Sequence, residues 1–294
     1  MTTTWKGFIN ASVSAISFGL IPLFTVPVLA SGMPATSVLV YRYAAGCAVM
    51  LVLLMAGRTR MSLRFGDSLR ILLLSLLYAV SSVALIESYN HLASGIATTL
   101  LFSYPVWTLL LSVVFLHERL SAMTTLAIVV AVAGVSCLSG AFDGGGLQSL
   151  TGALLATASG LCYAVYMVAF PRMRIRRMPS LKVTFYIFFF TMMLMMLYAL
   201  FVEGRIRPVG SMPNLVNLVL LGLLPTALSN VTLIFSLKQI SSTTAAILGA
   251  FEPMTAMGVG ILVFGEPFTL PVVLGFALIL VSVLILVLCK KGVK

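Results

Sequence analysis

Ten apolar stretches, each near twenty residues long, occupy this chain almost from end to end, and they dictate its solvent. They lie at about 7–29, 36–56, 70–90, 94–116, 121–140, 149–170, 182–203, 214–236, 241–264 and 268–289. A helix of ~20 residues crosses the ~30 Å hydrocarbon core of a bilayer. Lipid-exposed backbone must satisfy its own hydrogen bonds, so each stretch is expected to be a transmembrane helix. A chain that is 61% apolar and only 9% charged, with a mean hydropathy of +1.15, could not cover a water-soluble globule with polar surface. The connecting segments are too short for an inserted soluble domain, and the polar N-terminus lacks signal-peptide anatomy, so the first span is expected to be retained.

The basic residues set the expected orientation. With both termini in the cytoplasm, fifteen of the eighteen Lys and Arg residues face that side, among them the cluster Arg172 to Arg177. Only Arg205 and Arg207 face outward, and Arg42 lies inside a span. This bias places the chain in the plasma membrane of a prokaryote with cytoplasmic termini. The net charge of +11 then reports topology and attraction to anionic lipid headgroups, with membrane lipid as partner and no nucleic acid. Cys47, Cys137, Cys162 and Cys289 sit in or at the end of apolar runs without metal-ligand spacing, and His91 and His117 are lone residues at loop edges. No metal site or cofactor is expected.

An internal repeat gives these spans an order. Residues 72–118 slide onto 220–266 without a gap, with fourteen identities over forty-seven positions. Apolar bias inflates such a score through Leu and Val, but it cannot generate the matches Ser81/Ser229, Ser88/Ser236, Ser94/Ser242, Pro105/Pro253 and Glu118/Glu266. Five spans per half is an odd number, so the second half must run through the membrane upside down. The expected fold is all-α, ten transmembrane helices in two inverted five-helix repeats, residues 1–146 and 147–294. Inverted halves can exchange roles as a protein opens to one side and then the other, with a solute site near the midplane between them.

Four spans carry internal prolines, Pro22, Pro105, Pro225 and Pro253. Each removes a backbone donor and frees the carbonyl four residues earlier, on Phe18, Leu101, Leu221 and Gly249. These are hinge candidates, or bends that serve packing alone. Tyr78, Ser81 and Ser82 share one face of the third span, and their repeat partners are Thr226, Ser229 and Asn230. Tyr163 and Tyr166 in the sixth span and Tyr104 and Trp107 in the fourth add aromatic rings. Together Tyr78, Ser82, Tyr104, Trp107, Tyr163, Tyr166 and Asn230 are candidates to line a substrate cavity, the alternative being interhelical hydrogen bonding.

Glu252 lies eleven or twelve residues from either end of its span, near the bilayer centre. An ionised carboxylate there costs ~3 kcal/mol or more unless it is protonated, paired or wetted. Two roles stay open: lining the cavity, where it binds a cation or takes up a coupling proton, or bonding a freed carbonyl at the Pro253 kink. Arg42 and Glu87 lie at similar depth near the outer face and are candidates for an ion pair or gate, with snorkelling of Arg42 as the alternative. Glu118 and Glu266 end their helices and read as structural caps for the spans that follow them.

The segment SGIATTLLFSYPVWTLLLSVVFLHERLS (Ser94 to Ser121) resembles the fourth helix of EamA-type members of the drug/metabolite transporter superfamily. The stretch from Ala245, with Phe251-Glu252-Pro253, Gly265-Glu266 and Gly275, resembles the ninth and tenth helices of that family, and Tyr41-Arg42-Tyr43 resembles a family motif in the second. The chain departs from the family pattern at His117, where Gly is usual, and at Phe18-Gly19, where Trp-Gly is common. The resemblance implies a secondary transporter, commonly an exporter, of small metabolites such as amino acids or amphipathic and aromatic compounds. A coupling proton or a counter-transported solute would be its partner. No nucleotide-binding motif is present. A channel or lipid scramblase-like facilitator is the competing reading. An intramembrane enzyme is a third, disfavoured because only Glu87 and Glu252 are acidic within the spans.

Overall fold

A computed structural model describes residues 3–116, 122–138, 149–201, 203–240 and 248–289. Among them there is no strand. The helices are α1 (Thr3–Gly19), α2 (Ile21–Ala30), α3 (Ala35–Ala56), α4 (Phe65–Ser88), α5 (Ser94–Leu101), α6 (Tyr104–Leu116), α7 (Ala122–Leu138) and α8 (Leu150–Ala169). After two 3-10 turns come α9 (Ser180–Phe201), α10 (Met212–Leu221), a π-helical stretch (Gly222–Leu228), α11 (Ser229–Leu237), α12 (Phe251–Phe264) and α13 (Leu270–Cys289).

Counted through their breaks, seven helices are long and apolar enough to cross a membrane: Trp5–Ala30, Ala35–Ala56, Phe65–Ser88, Ser94–Phe115, Leu150–Ala169, Ser180–Phe201 and Met212–Leu237. Shorter apolar helices, Thr125–Val135, Phe251–Phe264 and Leu270–Ile285, lie in the remaining expected spans. Large apolar side chains face outward from the bundle: Phe65, Phe201 and Leu262 are 88%, 84% and 86% exposed. In water that surface would aggregate, whereas in lipid it is the correct exterior.

Among the described residues, every break inside a span coincides with one of the four expected prolines. Leu20 separates α1 from α2 two residues before Pro22, and Phe102 and Ser103 separate α5 from α6 just before Pro105. Pro225 sits inside the π-helical stretch, and Gly249 and Ala250 form the turn preceding Pro253. A proline lacks the N–H that would continue the ladder, so the ladder shifts or stops where it occurs. Pro27 is the exception, since α2 carries it without a break. Other ends follow ordinary capping. Ser149 and Ser211 accept hydrogen bonds from Gly152 and Asn214 at 3.1 and 3.3 Å, and Gly265 ends α12 in the left-handed region at φ 64°.

The packing comes in matched pairs. α4 lies against α8, and α1 against α11; α3 lies against α9, and α7 against α13. Serines tie the first two contacts. Ser81 and Ser159 each donate to the other's carbonyl, at 3.0 and 2.6 Å, and Ser14 donates to the Ser229 carbonyl at 2.8 Å. Their hydroxyls meet at 3.1 and 3.2 Å. Between helices in lipid such bonds contribute about 1 kcal/mol each.

Candidate substrate site

The apolar interior divides into two main clusters. One is built on α2, α3, α4, α9 and α10, around Tyr43, Met50, Ile71 and Phe188; the other on α5, α8, α12 and α13, around Leu100, Phe102, Ala156 and Ile279. Tyr78 and Tyr166 pack against the first, Tyr104 against the second, and Tyr89 touches both. The tyrosines therefore occupy the seam.

Their rings form one continuous row. Tyr78 lies 6.0 Å from Tyr43, 6.3 Å from Tyr163 and 5.8 Å from Tyr166, centroid to centroid. Tyr163 stacks on Tyr166 at 5.8 Å and meets the edge of Tyr104 at 5.0 Å. Phe188 closes one end, 5.6 Å from Tyr43 and 6.3 Å from Tyr78. Ser82 shares a 2.6 Å hydrogen bond with the Tyr43 hydroxyl. Tyr78, Tyr104, Tyr163 and Tyr166 remain only partly buried, although neighbours from several helices surround them. Such a face offers π surfaces together with polar hydroxyls.

Of the candidates, Tyr78, Ser82, Tyr104, Tyr163 and Tyr166 are thus brought together. Trp107 and Asn230 stand apart: among the described residues neither makes a ring contact or hydrogen bond with the tyrosines, and the Asn230 amide donates back to the Thr226 carbonyl at 2.7 Å. Tyr43 and Phe188 belong to the row without having been singled out for it.

Glu252 sits just past the Gly249 turn and is close enough to Tyr89, Tyr104 and Tyr163 to couple to them electrostatically. Its carboxyl makes no hydrogen bond among the described residues. The Gly249 carbonyl, one of those freed by proline, accepts the backbone N–H of Glu252 at 3.0 Å. Two broken helices meet here. A Cβ on Gly19, at the α1–α2 break, would lie 2.4 Å from the Glu252 carbonyl oxygen. Only glycine permits that approach.

Arg42 and Glu87 do not pair. Arg42 is 2% exposed and donates through Nε to the Thr226 hydroxyl at 2.8 Å. Thr226 in turn donates to the Leu221 carbonyl at 2.9 Å, the group freed by Pro225. The π-helical stretch turns Thr226 toward α3, and Gly46 and Gly222 permit the close packing: a Cβ on Gly222 would fall 2.3 Å from the Ala45 Cβ. Glu87 instead lines a pocket of about 470 Å³ at one end of the bundle, with Asn90, Tyr198 and Glu203. Similar depth suggested a pair, but the rotation of each helix about its axis directs the two side chains apart.

Glu266 caps a helix, though not the one that follows it. Its carboxylate accepts from the Ser94 N–H and hydroxyl at 2.6 and 2.7 Å, and from the Gly95 N–H at 3.1 Å. It therefore satisfies the start of α5, far away in the chain, and not α13. The left-handed turn at Gly265, closed by the Glu266 N–H on the Gly260 carbonyl at 2.9 Å, aims the side chain there. Glu118 lies outside the described residues.

At the opposite end from Glu87, a second pocket of about 400 Å³ is lined by Arg64, Asp67, Arg174, Arg177 and Lys182. The Lys182 ammonium donates to the carbonyls of Arg60 and Ser62 at 2.8 and 2.7 Å, fastening that loop to α9.

Comparison with known proteins agrees with this architecture. A protein of known crystal structure superposes with a TM-score of 0.68 at 19% identity, over 99% of this chain and 98% of that one, a likeness of fold. An uncharacterized transporter of Archaeoglobus fulgidus is 31% identical over 209 residues, 71% of this chain and 72% of its own. The uncharacterized transporter YojE of Bacillus subtilis is 27% identical over 278 residues, 90% of this chain and 88% of its own. The profile of the EamA-like transporter family matches residues 5–140 and 150–288. With nearly all its residues matched, this all-helical integral membrane protein belongs to the EamA-like transporter family, within the drug/metabolite transporter superfamily.

Proposed function

We propose that the protein is a secondary exporter of small metabolites, working by alternating access in a prokaryotic plasma membrane with both termini cytoplasmic. Ten spans form two inverted five-helix halves in this reading. The row of half-buried tyrosines at the seam between the two core clusters carries it, because a seam lined by rings and hydroxyls is where a small amphipathic solute is met. Further support comes from the matched serine ties, since Ser81 and Ser229 are partners in the sequence repeat and each bonds a serine of the other half. The proline breaks supply compliant points in four spans. Glu252, unbonded beside Tyr104 and Tyr163, is the candidate for a cation or a coupling proton.

Two measurements test this. Metabolite profiling of cells with and without the gene identifies what accumulates outside. Proteoliposomes then read uptake of that compound: a carrier saturates and supports counterflow, whereas linear flux without counterflow would replace the carrier with a channel-like facilitator. Glu252→Gln is expected to lower transport and flatten its dependence on pH. An unchanged pH profile would remove the coupling role.

A further inference from the structure

The pocket at the end of the bundle opposite Glu87 lies between the loop before α4 and the loop before α9, and its lining is cationic. Arg64, Arg174, Arg177 and Lys182 surround about 400 Å³, with Asp67 as the one acid among the lining residues. Asp67 is already taken by Arg70 at 3.1 Å, and the Lys182 ammonium by the carbonyls of Arg60 and Ser62. The guanidinium groups of Arg64, Arg174 and Arg177 make no hydrogen bond or ion pair among the described residues.

Both walls are held in place. Arg174–Arg177 form a 3-10 turn, in which side chains three residues apart eclipse, so Arg174 and Arg177 share a face. Ile175, wholly buried in the larger core cluster, pins that turn to the bundle. On the facing loop, Met61 accepts from the Tyr186 hydroxyl, beside the two carbonyls held by Lys182. Like charges fixed around one hollow repel, and an anion between them relieves the repulsion. The start of α4 adds to the pull: no side chain caps it at Arg64, so its free amides and positive dipole end favour negative charge.

An apolar track leads away from these cations. Phe65, Leu69, Leu73, Leu76 and Val80 are exposed at steps of three and four residues, one face of α4 that begins next to Arg64. A soluble phosphate would use only the cations. A phospholipid uses both features, its headgroup in the pocket and its chains on the track.

We infer that this pocket is a discrete site for an anionic phospholipid, its phosphodiester held by Arg64, Arg174 and Arg177 and its acyl chains lying along α4. Planar guanidinium forks suit phosphate oxygens, and basic pockets between membrane helices take anionic headgroups. A zwitterionic lipid brings its own ammonium, which the clustered guanidinium groups repel. Arg64 comes from the first half of the sequence and Arg174 and Arg177 from the second, so the bound phosphate bridges the two. The site is independent of the solute carried.

Native mass spectrometry of the purified full chain in neutral detergent tests this. The probes are phosphatidylglycerol, phosphatidylcholine with the same chains, and glycerol 1-phosphate, which has the phosphate and no chains. One phosphatidylglycerol is expected to bind at least about tenfold more tightly than phosphatidylcholine, as charge-assisted bonds do. Glycerol 1-phosphate should bind more weakly still. Arg174→Gln with Arg177→Gln is expected to remove most of the preference. Lys6→Gln with Lys238→Gln, which removes two exposed cations outside the pocket, should leave it intact. Equal affinity for the two lipids in the unaltered protein overturns the inference and needs no variant to fold. Equal losses in the two double variants also overturn it, because the attraction would then be diffuse. Glycerol 1-phosphate binding as tightly as phosphatidylglycerol would replace the lipid with a soluble phosphate.

Discussion

A carboxylate placed at a helix start satisfies amides that lipid cannot, and Glu266 does this for Ser94 and Gly95. Glu266→Ala is expected to lower stability by about 1–2 kcal/mol, and Glu266→Gln by less, read as unfolding in detergent. Gly260→Ala should have a comparable effect, because its Cβ would lie 2.0 Å from the Glu266 carboxylate oxygen and displace it. That Glu266 ends a helix was legible from its repeat partner Glu118 and from the neighbouring Gly265. Which helix it caps was not, since its reach depends on how α5 and α12 pack, and no local pattern encodes that. Arg42 and Glu87 failed as a pair for a similar reason: sequence gives depth along a helix, but the phase between two helices comes from packing.

The four breaks were readable because the missing proline donor is a local fact, although Pro27, carried inside α2 without a break, shows that the missing donor does not decide every case. How each break is repaired was not. The Leu221 carbonyl is taken by Thr226, whose hydroxyl also holds Arg42, and the Gly249 carbonyl by the Glu252 N–H. Pro225→Ala restores a donor and lets the π-helical stretch return to the ordinary ladder, freeing Thr226 from Leu221. Transport is expected to fall while the unfolding midpoint holds or rises. Gly222→Val should act in the opposite way, costing about 1–3 kcal/mol through overlap with Ala45, measurable as a lower midpoint. The tyrosine row was legible as helical faces, since Tyr163 and Tyr166 are one turn apart. The repeat held one more clue: it aligns Tyr104 with Glu252 and Tyr78 with Thr226, residues that converge near the seam.

Across the whole molecule, two serine ties join helices far apart in the chain, Ser81 with Ser159 and Ser14 with Ser229. If the halves are equivalent, double-mutant cycles with alanine should give similar coupling for both, about 1 kcal/mol or less. Unequal values would mean that one half is the firmer. Glu266 adds a condition in time. Its partner Ser94 precedes it by 172 residues, so a ribosome delivers the start of α5 on the order of ten seconds or more before the carboxylate that completes it. Until then the newborn fourth span has a raw end at the membrane border. Lipid headgroups or the insertion machinery must shield it meanwhile, and a transcript cut before codon 266 would leave a product that quality-control proteases can recognise.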